Sequence, residues 1–198
     1  VADLTMQYER RLDRHNFKIL AGYSGQQFVA KRSAVTGSGT TNNTLNQLSN
    51  QTSFSGTGSD VTASLLSSFL RLNYGYADKY LLTSTLRRDG SSKFGSDRRY
   101  GLFPSVSVAW RLSKEEFIKS LPFNDLKLRV GYGITGNQNI GDFAFVSRSG
   151  PASYVFGNSV TVGNAQLNIG NNLLQWESAK QFDLGLDAAV LKGRLTFS

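Results

Sequence analysis

Few side chains of this sequence could carry out covalent or metal chemistry. The 198-residue chain has a single histidine, His15, and no cysteine, which nearly rules out a Ser-His-Asp triad and histidine or thiolate metal sites. Asp183 and Asp187 fall on one face of a predicted strand, but four residues along a strand span about 13 Å. Glycosidases need carboxyl groups about 5–9.5 Å apart. A carboxylate pair from neighbouring strands stays open, although pairing with a nearby Arg or Lys is favoured. We therefore expect no catalytic residue, no metal and no enzyme.

Two glycine-containing motifs could suggest a phosphate or cation site. Gly131, Gly133 and Gly136 fit the spacing G-x-G-x-x-G, which binds a dinucleotide only where a helix follows. Asn-Gln-Asn and a further glycine follow here, so these glycines indicate a thin wall or the entry to a loop. The loop Asp89–Gly95 has too few acidic residues for a calcium cage, and arginine–aspartate pairing explains its charges. We expect no cofactor.

The segments that position these residues alternate with a period of two, as strands do. The apolar faces of segments 102–112 and 125–135 comprise Leu102, Val106, Val108, Trp110 and Leu112, and Leu126, Leu128, Val130, Tyr132 and Ile134. The opposite faces hold serine, alanine, glycine, lysine and arginine. An apolar row opposite mid-strand Lys and Arg is typical of a membrane barrel with water inside. A soluble β-sheet also has one apolar and one wet face, so alternation alone leaves both interpretations open.

The connections between predicted strands sort into two classes by length. About eight strands are predicted, in segments 3–12, 17–28, 61–76, 79–88, 102–112, 125–135, 176–190 and from 195 onward. Short or modest connections at 13–16, 77–78, 113–124 and 191–194 alternate with longer ones at 29–60, 89–101 and 136–172. An up-and-down barrel has brief turns at one rim and extended loops at the other, whereas a Greek-key sandwich has no reason to sort its loops.

The two longest connections carry their own expectations. Segment 31–60 is rich in Gly, Ser, Thr and Asn with little apolar content, which predicts a long exposed loop. The connection 136–172 is predicted to contain a short hairpin, with strands at 143–147 and 160–162.

The short connections also show recognisable patterns. Ser113 and Glu116 have the spacing of a capping box, which predicts one or two helical turns between two strands. Aromatic residues collect around the turn at 77–78, where an aromatic girdle would mark a membrane interface. They are Tyr74, Tyr76 and Tyr80.

Composition excludes some function classes. The net charge is +8, but Lys and Arg are spread over turns, loops and strand faces without a basic helix, which disfavours nucleic-acid binding. No run approaches the roughly 18 apolar residues of a spanning helix. A polar barrel wall with loops near anionic lipid accounts for the positive excess. The last residues, 195–198, fall inside an alternating pattern, so we expect the chain to be a piece of a longer protein.

Four sequence stretches carry a family resemblance. They are LRRDGSSKFG (86–95), RYGLFPSVSVAWRLSKEEF (99–117), LKLRVGYGITGNQNIGDFAF (126–145) and NNLLQWESAKQFDLGLDAAVLKGRL (171–195). Several motifs keep their order and spacing over roughly the second half of the chain. The sequence closely resembles the SusC/RagA-like family of TonB-dependent outer-membrane transporters of Bacteroidetes-type bacteria.

This resemblance implies an all-β fold in which the chain is an antiparallel sector of a 22-stranded transmembrane barrel around a plug. Residues 1–198 would be a partial barrel domain, with the plug and the remaining strands absent. An eight-stranded barrel that closes alone would be filled with side chains. The resemblance further implies import of oligosaccharides, or of peptides in some members, through the bacterial outer membrane. A SusD-like surface lipoprotein would act as lid, and TonB would pull on the plug.

Polar residues that face inward would line the lumen and are the candidate substrate-binding residues. They are Arg71, Arg87, Lys127, Arg129, Asp183 and Asp187. The long connections 29–60 and 136–172 would meet ligand or the lipoprotein. Two other classes stay open: a passive outer-membrane pore, and a soluble β-sheet domain that binds glycans or acts as an adhesin.

Overall fold

The chain forms an antiparallel meander of long strands. A computed structural model describes residues 1–40, 47–118, 123–191 and 194–197. Strand bounds in those ranges are Ala2–Leu12 (β1), His15–Thr40 (β2), Gln51–Tyr76 (β3), Tyr80–Ser91 (β4), Tyr100–Arg111 (β5), Phe123–Asn137 (β6), Arg148–Phe156 (β7), Ser159–Asn168 (β8), Glu177–Val190 (β9) and Leu195–Phe197 (β10). Eight strands make one sheet in the order β1-β2-β3-β4-β5-β6-β9-β10, and β7 pairs with β8 in a separate hairpin. The predicted all-β meander is confirmed.

The register of the sheet keeps an apolar and a polar face apart. Val130 of β6 pairs with Val108 of β5 on one side and with Leu184 of β9 on the other. One residue further along β6, Gly131 pairs with Ser107, on the opposite face. Leu184 is 68% exposed and Val108 50%. In the described ranges the extensive contacts between strands are all between sheet neighbours, so no second sheet packs on the apolar face there. The described segments contain no helix long and apolar enough to cross a membrane.

The prediction of a loop over 31–60 is wrong for most of its length. The ladder between β2 and β3 continues from Lys31 opposite Asp60 to Thr40 opposite Gln51. Two strands of small polar residues can satisfy each other's backbone hydrogen bonds without burying a core, so the composition predicts exposure and not the absence of pairing. At roughly 3.3 Å per residue, each strand is about 85 Å long over its 26 residues. A bilayer crossing takes roughly 9–11 residues, so the hairpin extends far beyond it.

The hairpin predicted within 136–172 exists, but one of its strands is misplaced. Residues 160–162 lie in β8, as expected, whereas 143–147 form turns. Phe143 has φ 60°, and the N–H of Val146 donates to the carbonyl of Phe143 at 3.0 Å. The strand that pairs with β8 is instead β7, with Val155 opposite Val160. The spacing of Phe143 and Phe145 follows the alternation of a strand, which explains the wrong prediction. The strand that does form, β7, contains Gly150 and Pro151, which are uncommon in strands.

The connection after β5 holds the expected helical turns in their tighter form. Leu112–Lys114 and Glu116–Ile118 are single 3₁₀ turns, so Leu112 ends the strand pattern and does not belong to β5. The Ser113 hydroxyl donates to Asp125 Oδ1 at 2.9 Å, which ties this connection to the start of β6.

The rim that carries the short turns is rich in aromatic contacts. Ala77 and Asp78 both have positive φ, at 51° and 54°, and the Lys79 N–H donates to the Tyr76 carbonyl at 2.9 Å. This geometry is the type I′ turn that suits a two-residue hairpin. Ring centroids follow one another along the rim, at 4.9 Å for Phe17–Tyr74, 6.4 Å for Tyr76–Tyr80 and 6.2 Å for Tyr80–Trp110. The predicted clustering of the three tyrosines is confirmed.

One carboxylate joins this aromatic rim to the connection after β5. Glu115 accepts hydrogen bonds from Lys79 Nζ at 2.8 Å, Tyr80 Oη at 3.0 Å and Trp110 Nε1 at 3.2 Å. Three donors on one carboxylate stabilise its ionised form.

Protonation of Glu115 in acid should therefore destabilise the short-turn rim. Hydrogen bonds, with that from Lys79 the largest cause, hold the pKa of Glu115 below its ordinary value of 4.5. A lowered pKa stabilises the folded state fully above the unfolded value and loses that contribution as the pH falls through the folded value. Glu115→Gln should lower the unfolding free energy at neutral pH and reduce its decline in acid, as measured by urea unfolding over a pH series. Asp78→Asn at the neighbouring turn is the matched control. Equal acid sensitivity in Glu115→Gln and in the unmodified protein would contradict this role.

Candidate functional site

The polar face contains a cleft where β4, β5, β6 and β9 run side by side. Its volume is about 570 Å³. Two of its strands meet where Ser105 pairs with Gly133 and Ser107 with Gly131, so glycines leave the floor nearly bare. The lining combines hydroxyl and amide side chains with apolar ones. The polar side chains include Thr83, Thr85, Ser105, Ser107 and Gln181, and the apolar ones include Phe103 and Ile134.

An ion pair closes one side of the cleft. Arg87 Nε lies 2.8 Å from both carboxylate oxygens of Asp89, and Arg87 Nη2 donates to Ser67 Oγ at 3.0 Å. Asp89 and Ser67 are only 8% and 3% exposed. The arginine–aspartate pairing predicted around the 89–95 loop is thus present, but both residues lie in β4, which continues to Ser91. The pair commits much of the Arg87 guanidinium to the sheet.

A second charge network lies further along the same face. Asp187 accepts from Lys127 Nζ at 2.9 Å and from Arg129 Nη2 at 2.7 Å. Asp187 pairs with Lys127 across β6 and β9, while Arg129 stands opposite Gly185 and reaches past it. The favoured interpretation of this aspartate, a wall ion pair with Lys or Arg, is confirmed.

The structure separates the six predicted lumen residues into three groups. Arg87 and Asp183 line the cleft. Lys127, Arg129 and Asp187 form the second network. Arg71 stands apart on β3, where its Nε donates to Thr85 Oγ1 at 3.2 Å. All six belong to the polar face, but their part in ligand binding stays a prediction.

Aromatic residues above the cleft have no counterpart in the sequence-based expectations. Phe94 is completely buried and lies 5.3 Å from Trp176, whose ring also meets Phe103 edge-on at 5.3 Å. Trp176 Nε1 donates to the Arg99 carbonyl at 2.9 Å. Gly136 lies directly against the Phe103 ring, where a Cβ would collide. The sequence contains one indication of this cluster. Phe94 is an aromatic residue inside a Gly/Ser-rich loop, and such a residue could have been predicted to be buried.

Metal and nucleotide chemistry find little support at this site. Among the residues that the structure describes, no three His, Asp or Glu side chains come together as a metal-binding group. Gly131, Gly133 and Gly136 all lie within β6 and pair with neighbouring strands, so no helix begins where the nucleotide fingerprint requires one.

The two aspartates of β9 should differ in their importance for stability. Asp187→Asn leaves Lys127 and Arg129 facing each other without their shared carboxylate, so it should lower the unfolding free energy. Asp183→Asn should change it little. Urea unfolding midpoints measured at low and high salt test this. Added salt screens the charges, so the difference in midpoint between Asp187→Asn and Asp183→Asn should become smaller at high salt. Equal midpoints at low salt would show that the Asp187 network does not stabilise the wall.

Comparison with known proteins adds a family to this geometry. Residues 2–198 match the family described as TonB dependent receptor-like, beta-barrel. The chain is 40% identical over 190 residues to TonB-dependent receptor P39 of Formosa agariphila, covering 94% of this chain and 18% of that protein. It is 36% identical over 204 residues to TonB-dependent receptor SusC of Bacteroides thetaiotaomicron, covering 98% of this chain and 20% of SusC.

Solved structures agree with the sequence relatives. The RagAB peptide transporter superposes with a TM-score of 0.80 at 27% identity, and the RagAB peptide importer in its open-open state with a TM-score of 0.81 at 28% identity. Each comparison covers 98% of this chain and 22% of the solved chain. This chain therefore spans about a fifth of the length of the proteins it matches. The family match over nearly every residue, together with the two-faced meander, shows that the chain belongs to the TonB-dependent receptor-like β-barrel family.

Proposed function

We propose that this chain is a sector of the wall of a TonB-dependent importer in a bacterial outer membrane. The observation that carries the proposal is the sheet's two-sidedness. An apolar face without a covering layer in the described ranges is suited to hydrocarbon, and the opposite face, with its hydroxyl-lined cleft and ion pairs, is suited to water. A soluble sheet of this size would expose far more contiguous apolar surface than soluble proteins tolerate.

The rest of the importer lies outside this sector. Because the chain corresponds to about a fifth of its relatives, the plug, the TonB contact and the remaining strands are assigned to the other four fifths. Substrates of the whole protein are oligosaccharides or peptides; one solved relative is described as a peptide importer. The six polar-face residues Arg71, Arg87, Lys127, Arg129, Asp183 and Asp187 line the lumen through which substrate passes.

A surface lipoprotein of the SusD type is the proposed partner at the rim with long connections. The distal half of the β2–β3 hairpin and the β7–β8 hairpin extend from that rim. The β7–β8 hairpin exposes apolar groups, including Tyr154 at 67% and Phe156 at 69%. Isolated two-stranded hairpins are marginally stable in water, so docking against ligand or lipoprotein would stabilise this one.

Energy dependence tests the proposal. The full-length protein and its lipoprotein are produced in the outer membrane of a host with and without TonB, and uptake of fluorescent oligosaccharides and peptides is measured. Import should require TonB and the proton-motive force. Uptake that persists equally without TonB would favour the passive pore instead.

The assignment of the apolar face to lipid leads to a second prediction. Val130→Arg should impair assembly of the full-length barrel, because an arginine facing lipid costs roughly 2–4 kcal/mol at the bilayer midplane. Ser107→Arg, on the polar face of the adjacent strand, is the matched control and should assemble. Heat-modifiable gel migration of outer-membrane fractions reports the folded share of each variant. Equal losses for both variants would count against the inside/outside assignment.

A further inference from the structure

Asp183 differs from the other charged residues of the cleft. Arg87 and Asp89 neutralise each other, and within the described ranges no hydrogen bond or ion pair engages the Asp183 carboxylate. Its strand partner is Gly131, and Asp183 Oδ2 lies 3.9 Å from the position that a Cβ on Gly131 would occupy. The carboxylate therefore leans over bare backbone, with no side chain on the paired residue to cover it.

In the part of the chain that the structure describes, the two arginines near this carboxylate bind other carboxylates. Arg129, opposite Gly185 on the same pair of strands, turns away toward Asp187 and donates to it at 2.7 Å. Arg87 directs its Nε and Nη2 to Asp89 and Ser67. The cleft lining is thus left with one net negative charge, although the chain as a whole carries +8.

The remaining lining groups suit a polar ligand around that charge. The Thr83 hydroxyl donates to Asn73 Oδ1 at 2.9 Å and can still accept, whereas the Thr85 hydroxyl accepts from Arg71 Nε at 3.2 Å and can still donate. Gln181, two residues from Asp183 on the same face, offers both functions. An anionic ligand would meet repulsion here. A ligand with an ammonium group would gain a charge-assisted hydrogen bond, which is roughly twice as strong as a neutral one.

We propose that Asp183 makes this cleft selective for substrates that carry a primary ammonium group on a hydroxyl- or amide-rich backbone. The inference rests on the proposed import function and narrows its substrate class. Two sources supply this chemistry, an amino-sugar oligosaccharide and a lysine-containing peptide. Each has a matched neutral form, because acetylation removes the charge and keeps the backbone.

The experiment uses the full-length transporter purified with its lipoprotein. Four probes are titrated by calorimetry: a glucosamine tetramer, its N-acetylated form, a tetrapeptide with one lysine, and the same peptide with acetyl-lysine. In the unmodified protein one ammonium probe should bind about tenfold more tightly than its acetylated form, the factor that a hydrogen bond to a charged group supplies. A preference within the glucosamine probes identifies an amino-sugar oligosaccharide as the substrate class, and a preference within the peptide probes identifies a lysine-containing peptide. Added salt should reduce the difference.

Variants decide whether Asp183 is responsible. Asp183→Asn should abolish the preference, because it should weaken binding of the ammonium probes about tenfold and binding of the acetylated probes much less. Glu177→Gln removes a carboxylate from the same strand outside the cleft, where Glu177 accepts from Asn137 Nδ2 at 2.9 Å, and should keep the preference. Unchanged heat-modifiable migration verifies that both variants fold.

The outcomes separate this inference from the import proposal. Equal binding of ammonium and acetylated probes, no binding of either ammonium probe, or a preference that survives Asp183→Asn would overturn the role of Asp183. TonB-dependent uptake of the acetylated probes alongside such a result would leave the import function intact. An Asp183-dependent preference without any TonB-dependent uptake would support the site and reject import.

Discussion

Backbone hydrogen bonding between neighbouring strands is the constraint on which this structure depends. Within the described ranges, every strand of the meander pairs along most of its length with at least one sheet neighbour. The paired backbone is therefore satisfied without a core, and side chains are free to sort by face. Because side chains alternate with a period of two, a slip of one residue would exchange the faces completely. The register of the strands therefore decides which surface of this sheet is apolar and which is polar.

The polar face balances most of its own charge locally. Arg87 is paired with Asp89, and Asp187 is shared by Lys127 and Arg129. Such pairs keep the polar face from presenting a strong field of one sign, and they hold long side chains in defined positions on it. Against this background Asp183, whose carboxylate has no hydrogen bond or ion pair within the described ranges, is a distinctive feature of the cleft.

The two rims of the sheet solve different problems. Tight turns, stacked rings and the three donors on Glu115 hold the short-turn rim together with few residues. At the other rim, Phe94 packs against Trp176 beside the cleft, and the β2–β3 hairpin extends far past the length of a bilayer crossing. A compact, hydrogen-bonded rim and an extended rim fit the barrel wall proposed above.

Residue order alone predicts the strand class and the facing of residues such as Val130 and Lys127, because both follow from neighbours one or two residues apart. The predicted sorting of connections by length is wrong in part, because the stretch between Arg111 of β5 and Phe123 of β6 is longer than the stretch between Ser91 of β4 and Tyr100 of β5. Residue order could not predict that 31–60 pairs as a ladder, since composition reports burial and not hydrogen bonding. The contact of Trp176 with Arg99, the commitment of Arg129 to Asp187 and the isolation of Asp183 were decided only by tertiary structure. These contacts join residues that are far apart in the chain, and each charged residue has several possible partners. Only the relative register of whole strands decides which partner lies within reach.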